Sequence, residues 1–424
     1  MNKLLIVFLL AATISYSQDT SNSWLVKRYS EKVLKYLDKE KSLSSFYNIN
    51  GKGISIYSSG QNKSLNKTEF FIPWEQLNDF RLYSKFNSQL FDYYLNGKIE
   101  NFPDTNFKKA DTIVSEKPLY GYRIAIDPGH IAHDLQTGFL EMKHLKFKRD
   151  PIHGAVDSVE IAEGMLTYAT AKLLKEKLEL AGAEVILTRP NGTSSFGKTF
   201  QQWKKEDLKK TTDSLLKIGE LQLSQKNYFL SSKAKDRDIF RALFRDLDLA
   251  KRAEIINNYH PDLTVIIHFN VDETNLNWTK PTKKDFNMAF VGGAFMRNDL
   301  SSPQKRFEFL RLLITDDLEK SISLSGFAVE SFHKTLDVST AGVLDAKYLT
   351  EGCLKTEKTG VYCRNLQLTR YIHSPLVYGE TLYQDNIKES QLLNKETDKT
   401  KNERIIQVAD AYFNGILNYI KSTN

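Results

Sequence analysis

At 424 residues the chain is long enough for a full core and for more than one domain, at about 100 to 200 residues per domain. A hydrophobic fraction of 41% with 12% aromatic residues excludes a disordered polymer. The net charge of +7 and pI near 8.9 are mild for this length; they do not call for nucleic acid and suit an anionic envelope polymer equally well.

In chain order, Met1 to Ser17 carries Lys3, the apolar run Leu4 to Ala12, and Ser15 and Ser17 around Tyr16. This is a secretory signal pattern, too short for a membrane span, with cleavage expected after Ser17 and export to the periplasm, the envelope or the medium. An uncleaved anchor is the alternative. No cysteine follows the run, which argues against a lipoprotein, and no later stretch approaches the roughly 18 continuous apolar residues of a membrane helix. The two cysteines, Cys353 and Cys363, allow either a disulfide staple or two reduced thiols.

Residues 18–118 read as a smaller α+β unit of unknown role. Leu25, Tyr29, Val33, Leu34 and Leu37 recur at helical spacing over Trp24 to Leu37, and Gly51 to Tyr57 reads as a turn and strand. Trp74, Phe80, Leu82, Phe86, Leu90, Phe91, Tyr93 and Tyr94 supply core bulk; carbohydrate stacking is the sharper alternative for these aromatics.

From residue 119 the pattern becomes α/β, predicting a mostly parallel twisted sheet flanked by helices over 119–424. Arg123 to Asp127 is the first strand, delivering His130 through the turn residues Asp127-Pro128-Gly129. A long polar loop is expected over Ile131 to Ser158, then a helix from Ile161 to Leu180 ended by Gly182, and a strand from Glu184 to Thr188. The charged stretch 191–249 predicts two or three inserted surface helices, either solvated decoration or a gate. Asp262 to Phe269 is a central strand, apolar on both faces. A strand at Phe286 to Phe295, an amphipathic helix near Arg306 to Leu324, short strands at Leu366 to Leu368 and Pro375 to Glu380, and a closing helix from Arg404 to Ile420 complete the order.

Strand ends of a parallel sheet share one edge, where His130, His268 with Asn270, and Glu380 converge with Glu163 at the start of the long helix. Two histidines and a carboxylate form a zinc set with an open position, and an unligated glutamate supplies the general base of metal-assisted hydrolysis. Spacing leaves Glu160, expected on the same helical face, as a rival ligand to Glu163. His133, His144 and His153 read as solvent-facing, with an approach to the metal or substrate as the alternative. Arg364 and Arg370 read as capping or ion-pairing residues, or as binders of a substrate carboxylate.

Ile124 to His130, Glu163 with Leu173-Leu174, Ala181 to Arg189, Arg252-Ala253 with Ile255-Ile256-Asn257, Ile266 to Asn270, Gly360-Val361, Leu366 to Arg370 and Ser374 to Tyr383 together resemble the zinc-dependent N-acetylmuramoyl-L-alanine amidases of bacterial peptidoglycan. The resemblance spans about residues 120–421 with two insertions removed. It implies zinc (Zn2+) on His130, Glu163 and His268, with Glu380 as catalytic acid/base; Glu163 is preferred over Glu160 by its distance to Ala181-Gly182. It also implies peptidoglycan stem peptide and glycan as partners and leaves room for an activator protein. The chain departs from the family pattern after His130, where Ile131-Ala132-His133-Asp134 replaces the usual glycines, and at Glu380-Thr381-Leu382-Tyr383, where a glycine-aromatic pair is usual. Those departures keep open a zinc hydrolase of another amide or peptide. A non-catalytic envelope-binding protein is a third reading, disfavoured because all four candidate residues are present.

Overall fold

In a computed structural model of the chain, residues 22–83, 91, 92, 94, 95, 117–150, 152, 154 and 157–423 are described. The signal pattern at 1–17, the core candidates Phe86, Leu90 and Tyr93, and His153 lie outside the described residues.

The N-terminal part is a helix, Ser23–Lys32, continued by a π-turn, Val33–Leu37, and an antiparallel sheet of β1 (Tyr47–Asn50), β2 (Gly53–Ile56) and β3 (Phe70–Pro73). Tyr29, Val33, Leu37, Phe70, Trp74 and Phe80 are buried in the same apolar cluster as the main sheet. The chain is stitched down by backbone bonds from Ala294 and Phe295 to Tyr36 and Leu37 (2.8 and 2.7 Å), and by Arg306 gripping both oxygens of Glu69 at 2.5 and 2.7 Å. Of the aromatics expected in the core, Trp74, Phe80 and Tyr94 are buried, whereas Leu82, also expected inside, is 50% exposed.

The main sheet comprises β4 (Arg123–Pro128), β7 (Glu184–Leu187), β8 (Leu263–Asn270), β9 (Met288–Val291), β10 (Cys353–Lys355), β11 (Val361–Arg364) and β12 (Leu376–Tyr383), in the order β10-β11-β9-β12-β8-β4-β7. β12, β8, β4 and β7 are mutually parallel, as are β11 and β9, while β12–β9 and β10–β11 are antiparallel. β8 is buried along its whole length because helices cover both faces. Glu163–Leu180, Asp317–Leu336 and Glu403–Thr423 lie over one face, and Arg245–Tyr259 with Gln367–Tyr371 over the other. In register, Glu380 stands beside His268, and Pro128 beside Ile267, so three strands deliver their C-terminal ends to one edge.

Several elements differ from the sequence expectation. The stretch 131–158 is no bare loop: Leu135–Glu141 is a helix, capped by Asp134 accepting from the Thr137 N–H at 2.7 Å, and β5 (His144–Phe147) pairs with β6 (Val159–Ala162). The long helix begins at Glu163 rather than Ile161, since Val159, Glu160 and Ile161 alternate in-out-in as a strand. Leu366 to Leu368 enters a short helix, Gln367–Tyr371, rather than a strand. The helix expected at 306–324 is two, Pro303–Ile314 and Asp317–Leu336, broken where Thr315 turns extended and its hydroxyl bonds back to the Arg311 carbonyl at 2.9 Å. The 191–249 stretch folds as Phe200–Glu206, Leu208–Lys217, Leu223–Phe229 and Asp236–Ile239, running through the π-turn Phe240–Phe244 into Arg245–Tyr259. Both cysteines are free and buried: Cys353 faces Arg364 and Cys363 faces Leu354 across β10–β11, so the thiols point to opposite faces.

Candidate metal centre and active site

The turn after β4 is built for close approach. A Cβ on Gly129 would meet the His268 imidazole at 2.4 Å and the Ile267 carbonyl at 2.6 Å, so only glycine lets the two histidine-bearing strands pack this tightly. His130 then takes a left-handed backbone, φ +64°, which costs a non-glycine residue about 1 kcal/mol or more. Two buried arginines hold that strained turn. Arg189 donates to the carbonyls of Pro128 (3.0 and 2.9 Å) and Gly129 (3.2 Å); Arg252 donates to those of Pro128 (3.1 Å) and His130 (2.7 Å). Asp248 anchors Arg252 at 2.6 Å, and the Thr167 hydroxyl donates to the Gly129 carbonyl at 2.6 Å. Asp127 and Asp248 offset part of the cost of burying the two guanidiniums; even so, burial and the Arg252 charge lower the Arg189 pKa to about 10.

His130, Glu163 and His268 meet at this edge. His268 Nδ1 lies 3.1 Å from His130 Nε2 and 3.1 Å from Glu163 Oε1, and His130 Nε2 lies 3.0 Å from Glu163 Oε2. Those separations approach the ~3.3 Å edge of a tetrahedron with ~2.05 Å ligand bonds. Glu163 Oε2 is buried without a hydrogen-bond donor, an atom left for a cation. Burial holds the His268 pKa down to about 4, keeping its ring a neutral ligand. Burial opposes ionisation of Glu163, but His130 and Lys143, 3.5 Å away, hold its carboxyl well below the usual range. Burial also opposes a charge on His130, yet Glu163 and Glu141 outweigh it and raise its pKa: the site draws positive charge to the point where a divalent ion fits.

Two further contacts orient the ligands. Glu141 Oε1 lies 3.0 Å from His130 Nδ1 while its other oxygen accepts the N–H groups of Ile131 (3.0 Å) and Ala132 (3.2 Å). This fixes which ring nitrogen of His130 faces inward. Tyr378 stacks on His268 with ring centroids 4.5 Å apart. Glu380, two residues after Tyr378 on the same face of β12, has its pKa pushed up to about 7 by burial and then by the Glu163 charge. A cavity of about 160 Å³ opens beside His130, His268 and Tyr378, walled by Arg245 and Leu249 of the long inserted helix and by Leu366.

The structure therefore brings His130, Glu163 and His268 together with Glu380 at the same sheet edge. Glu160 is separated from them: it points outward from β6 to His144 (3.1 Å) and Lys146 (2.9 Å). His133 pairs with Asp134 at 3.2 Å, and Arg370 donates to Asn365 at 2.9 Å. Arg364 lies between the rings of Phe290 and Tyr348. Glu141 was missed by reading 131–158 as loop. Its signal is the Asp134 cap, which starts a helix whose last residue is Glu141.

The family model described as N-acetylmuramoyl-L-alanine amidase matches residues 124–418. Comparison with curated proteins finds no match. Among solved structures, the CwlD amidase from Clostridioides difficile, in complex with the GerS lipoprotein, is 19% identical, covering 71% of this chain and 99% of that one with a TM-score of 0.40. The N-acetylmuramoyl-L-alanine amidase from Clostridium difficile 630 is 16% identical, covering 72% and 98%, TM-score 0.38. Ami1 from Mycobacterium abscessus, in its apo form, is 16% identical, covering 71% and 99%, TM-score 0.35. The family match takes in β4 to the closing helix, with all four candidate residues inside it, and the chain belongs to the N-acetylmuramoyl-L-alanine amidase family.

Proposed function

We propose that this amidase is an exported, zinc-dependent enzyme that hydrolyses the amide joining the lactyl group of N-acetylmuramic acid to L-alanine in peptidoglycan. The observation that supports it most is the convergence of two imidazoles and a partly orphaned carboxylate at the strand edge that also carries Glu380. His130, Glu163 and His268 are the residues to hold the ion, a donor set that suits zinc. Zinc bound there supplies Lewis acidity toward the scissile carbonyl and lowers the pKa of water. Glu380 takes a proton from the attacking water and returns it to the alanine nitrogen as the C–N bond breaks; a pKa near 7 suits both transfers. A cation at Glu163 removes that residue's share of the upward shift, while burial keeps the rest. Tyr378 and Glu141 keep the two imidazoles in place during the exchange.

Export rests on the pattern of residues 1–17, and no helix among the described residues is long and apolar enough to cross a membrane. The partners are then the stem peptide and the glycan, with an activator protein as a further expectation of the family resemblance. Incubating residues 18–424 with peptidoglycan and weighing the products tests this reading. Free stem peptides beginning with L-alanine are expected, lost with chelator, restored by zinc, and reduced roughly 10²–10⁴-fold in Glu380→Gln. Internally cut peptides would make the chain a peptidase instead, and bound zinc without products would leave an envelope-binding protein.

A further inference from the structure

Arg364 ends β11 on the same face of the sheet as Tyr378 and Glu380, because Tyr362 and Tyr378 both register with Phe290. Its guanidinium carbon sits 4.8 Å from the ring centres of both Phe290 and Tyr348, clamped between them. The clamp is itself fixed: Phe290 is fully buried, and the Tyr348 hydroxyl accepts from Asn270 Nδ2, at the end of β8, at 2.9 Å. No carboxylate or carbonyl among the described residues accepts a hydrogen bond from this guanidinium, and none forms an ion pair with it. Arg189 and Arg252, by contrast, are spent on carbonyls and Asp248, while Arg370 donates to Asn365 with its Nε buried and turned away from solvent. A planar cation held still, partly open to solvent and lacking an acceptor, is an anion site in waiting.

The substrate chemistry says which anion. The lactyl carboxyl of muramic acid is consumed in the scissile amide, and the glycan's other groups are neutral hydroxyls and acetamides. Every negative charge therefore lies on the peptide side. The first is the α-carboxylate of the second stem residue, a γ-linked glutamate in which that group is either free or amidated. β11 lies two strands from β12, roughly 10 Å at about 4.8 Å per strand. That carboxylate lies about two residue lengths, ~7 Å, beyond the scissile nitrogen, and a charged hydrogen bond of ~2.8 Å closes the remainder.

We propose that Arg364 is a specificity residue that binds the free α-carboxylate of the second stem-peptide residue, so that β9 and β11 carry the peptide side of the groove and the enzyme discriminates against amidated stems. This rests on the amidase reading above. The test measures kcat and KM of the zinc-loaded enzyme on two muropeptides that differ only in a free or amidated carboxyl at that residue. The wild-type enzyme is expected to prefer the free acid by roughly 10- to 100-fold in kcat/KM. In Arg364→Gln the value for the free acid falls to that of the amide, mainly through KM, and Arg364→Lys recovers only part of the preference because the planar fork is lost. Equal wild-type rates on the two substrates overturn the assignment while leaving the amidase reading standing. So does a loss in Arg364→Gln that is the same for both and moves the pH profile of kcat, which would mean that Arg364 acts only on the charge of Glu380. Cleavage of neither substrate by the wild type overturns the amidase reading and this one together.

Discussion

At the scale of single residues, the centre depends on side chains that hold the His130 turn from behind. His130 holds a backbone conformation that favours glycine, and its carbonyl, ring and flanking peptides are each claimed by a different partner: Arg252, Glu141 and Arg189. Glu141 matters most for the metal. Removing its carboxylate frees the His130 ring to rotate, allows the other tautomer, and strands two buried N–H groups. Glu141→Ala should weaken zinc binding by roughly 10- to 100-fold, read by competition with a chelating dye; an affinity within twofold of wild type would show that the turn alone orients the ring. The meeting of His130, Glu163 and His268 was legible in the sequence because turn chemistry, strand ends and motif order all pointed to these three residues. Glu141 was not: the Asp134 cap marks a helix there, but nothing in the 131–158 stretch marks which of its acids lies under a strand end. Leu382 adopts φ +56° at a bulge in β12, a backbone that favours glycine, and its full burial offsets the cost.

At the scale of elements, the helical stretch 191–249 is packed around a core of its own: Phe200, Trp203, Phe229, Ile239, Phe240, Leu243 and Phe244 are buried together. Ile131, the residue after His130, is buried in that same cluster. The isoleucine that stands after His130, where the family resemblance led to an expectation of glycine, thus has a physical role. It ties the His130 loop to the inserted helices, which glycine could not do. Phe240→Ala, costing about 3–5 kcal/mol at a fully buried aromatic, should loosen this cluster without reaching the main sheet. The expected outcome is protease cleavage within 191–249 together with weaker zinc retention; cleavage with unchanged zinc affinity would show that Ile131 is not a mechanical link. Strands and helices with clean periodicity, such as β8 and the closing helix, could be read directly. Three of the misread pieces, β5, β6 and Gln367–Tyr371, are only four or five residues long, and their form is set by partners outside the local stretch, as when the β5–β6 ladder brings His144 opposite Ala162.

At the scale of the whole molecule, the loops beyond β8 and β12 are joined by a buried carboxylate whose charge the fold resists. Asp385 is fully buried, accepts the Asp272 N–H at 3.2 Å and Asn275 Nδ2 at 2.9 Å, and has its pKa raised to about 6 by burial. A carboxyl whose folded pKa exceeds its unfolded value near 3.8 contributes stability that is complete below that value and lost as pH rises through about 6. The shift of about two units corresponds to a loss on the order of 3 kcal/mol between pH 4 and pH 7. Glu308 acts in the opposite sense: against the cost of burial, His373 at 3.0 Å and Arg311 at 2.8 Å hold its pKa down to about 2, so its contribution is intact above about pH 5 and is lost progressively as pH falls from there toward 2. Glu308 is common to the wild type and an Asp385 variant, so the difference between the two across pH 4 to 7 isolates the buried acid. Asp385→Asn keeps an acceptor for the Asp272 and Asn275 donors and removes the charge. Its urea midpoint should fall less than the wild type's between pH 4 and pH 7, so that the variant gains on the wild type as pH rises. Parallel pH dependences for the two proteins would mean that water reaches the carboxylate and that these loops open more readily than their hydrogen bonds imply.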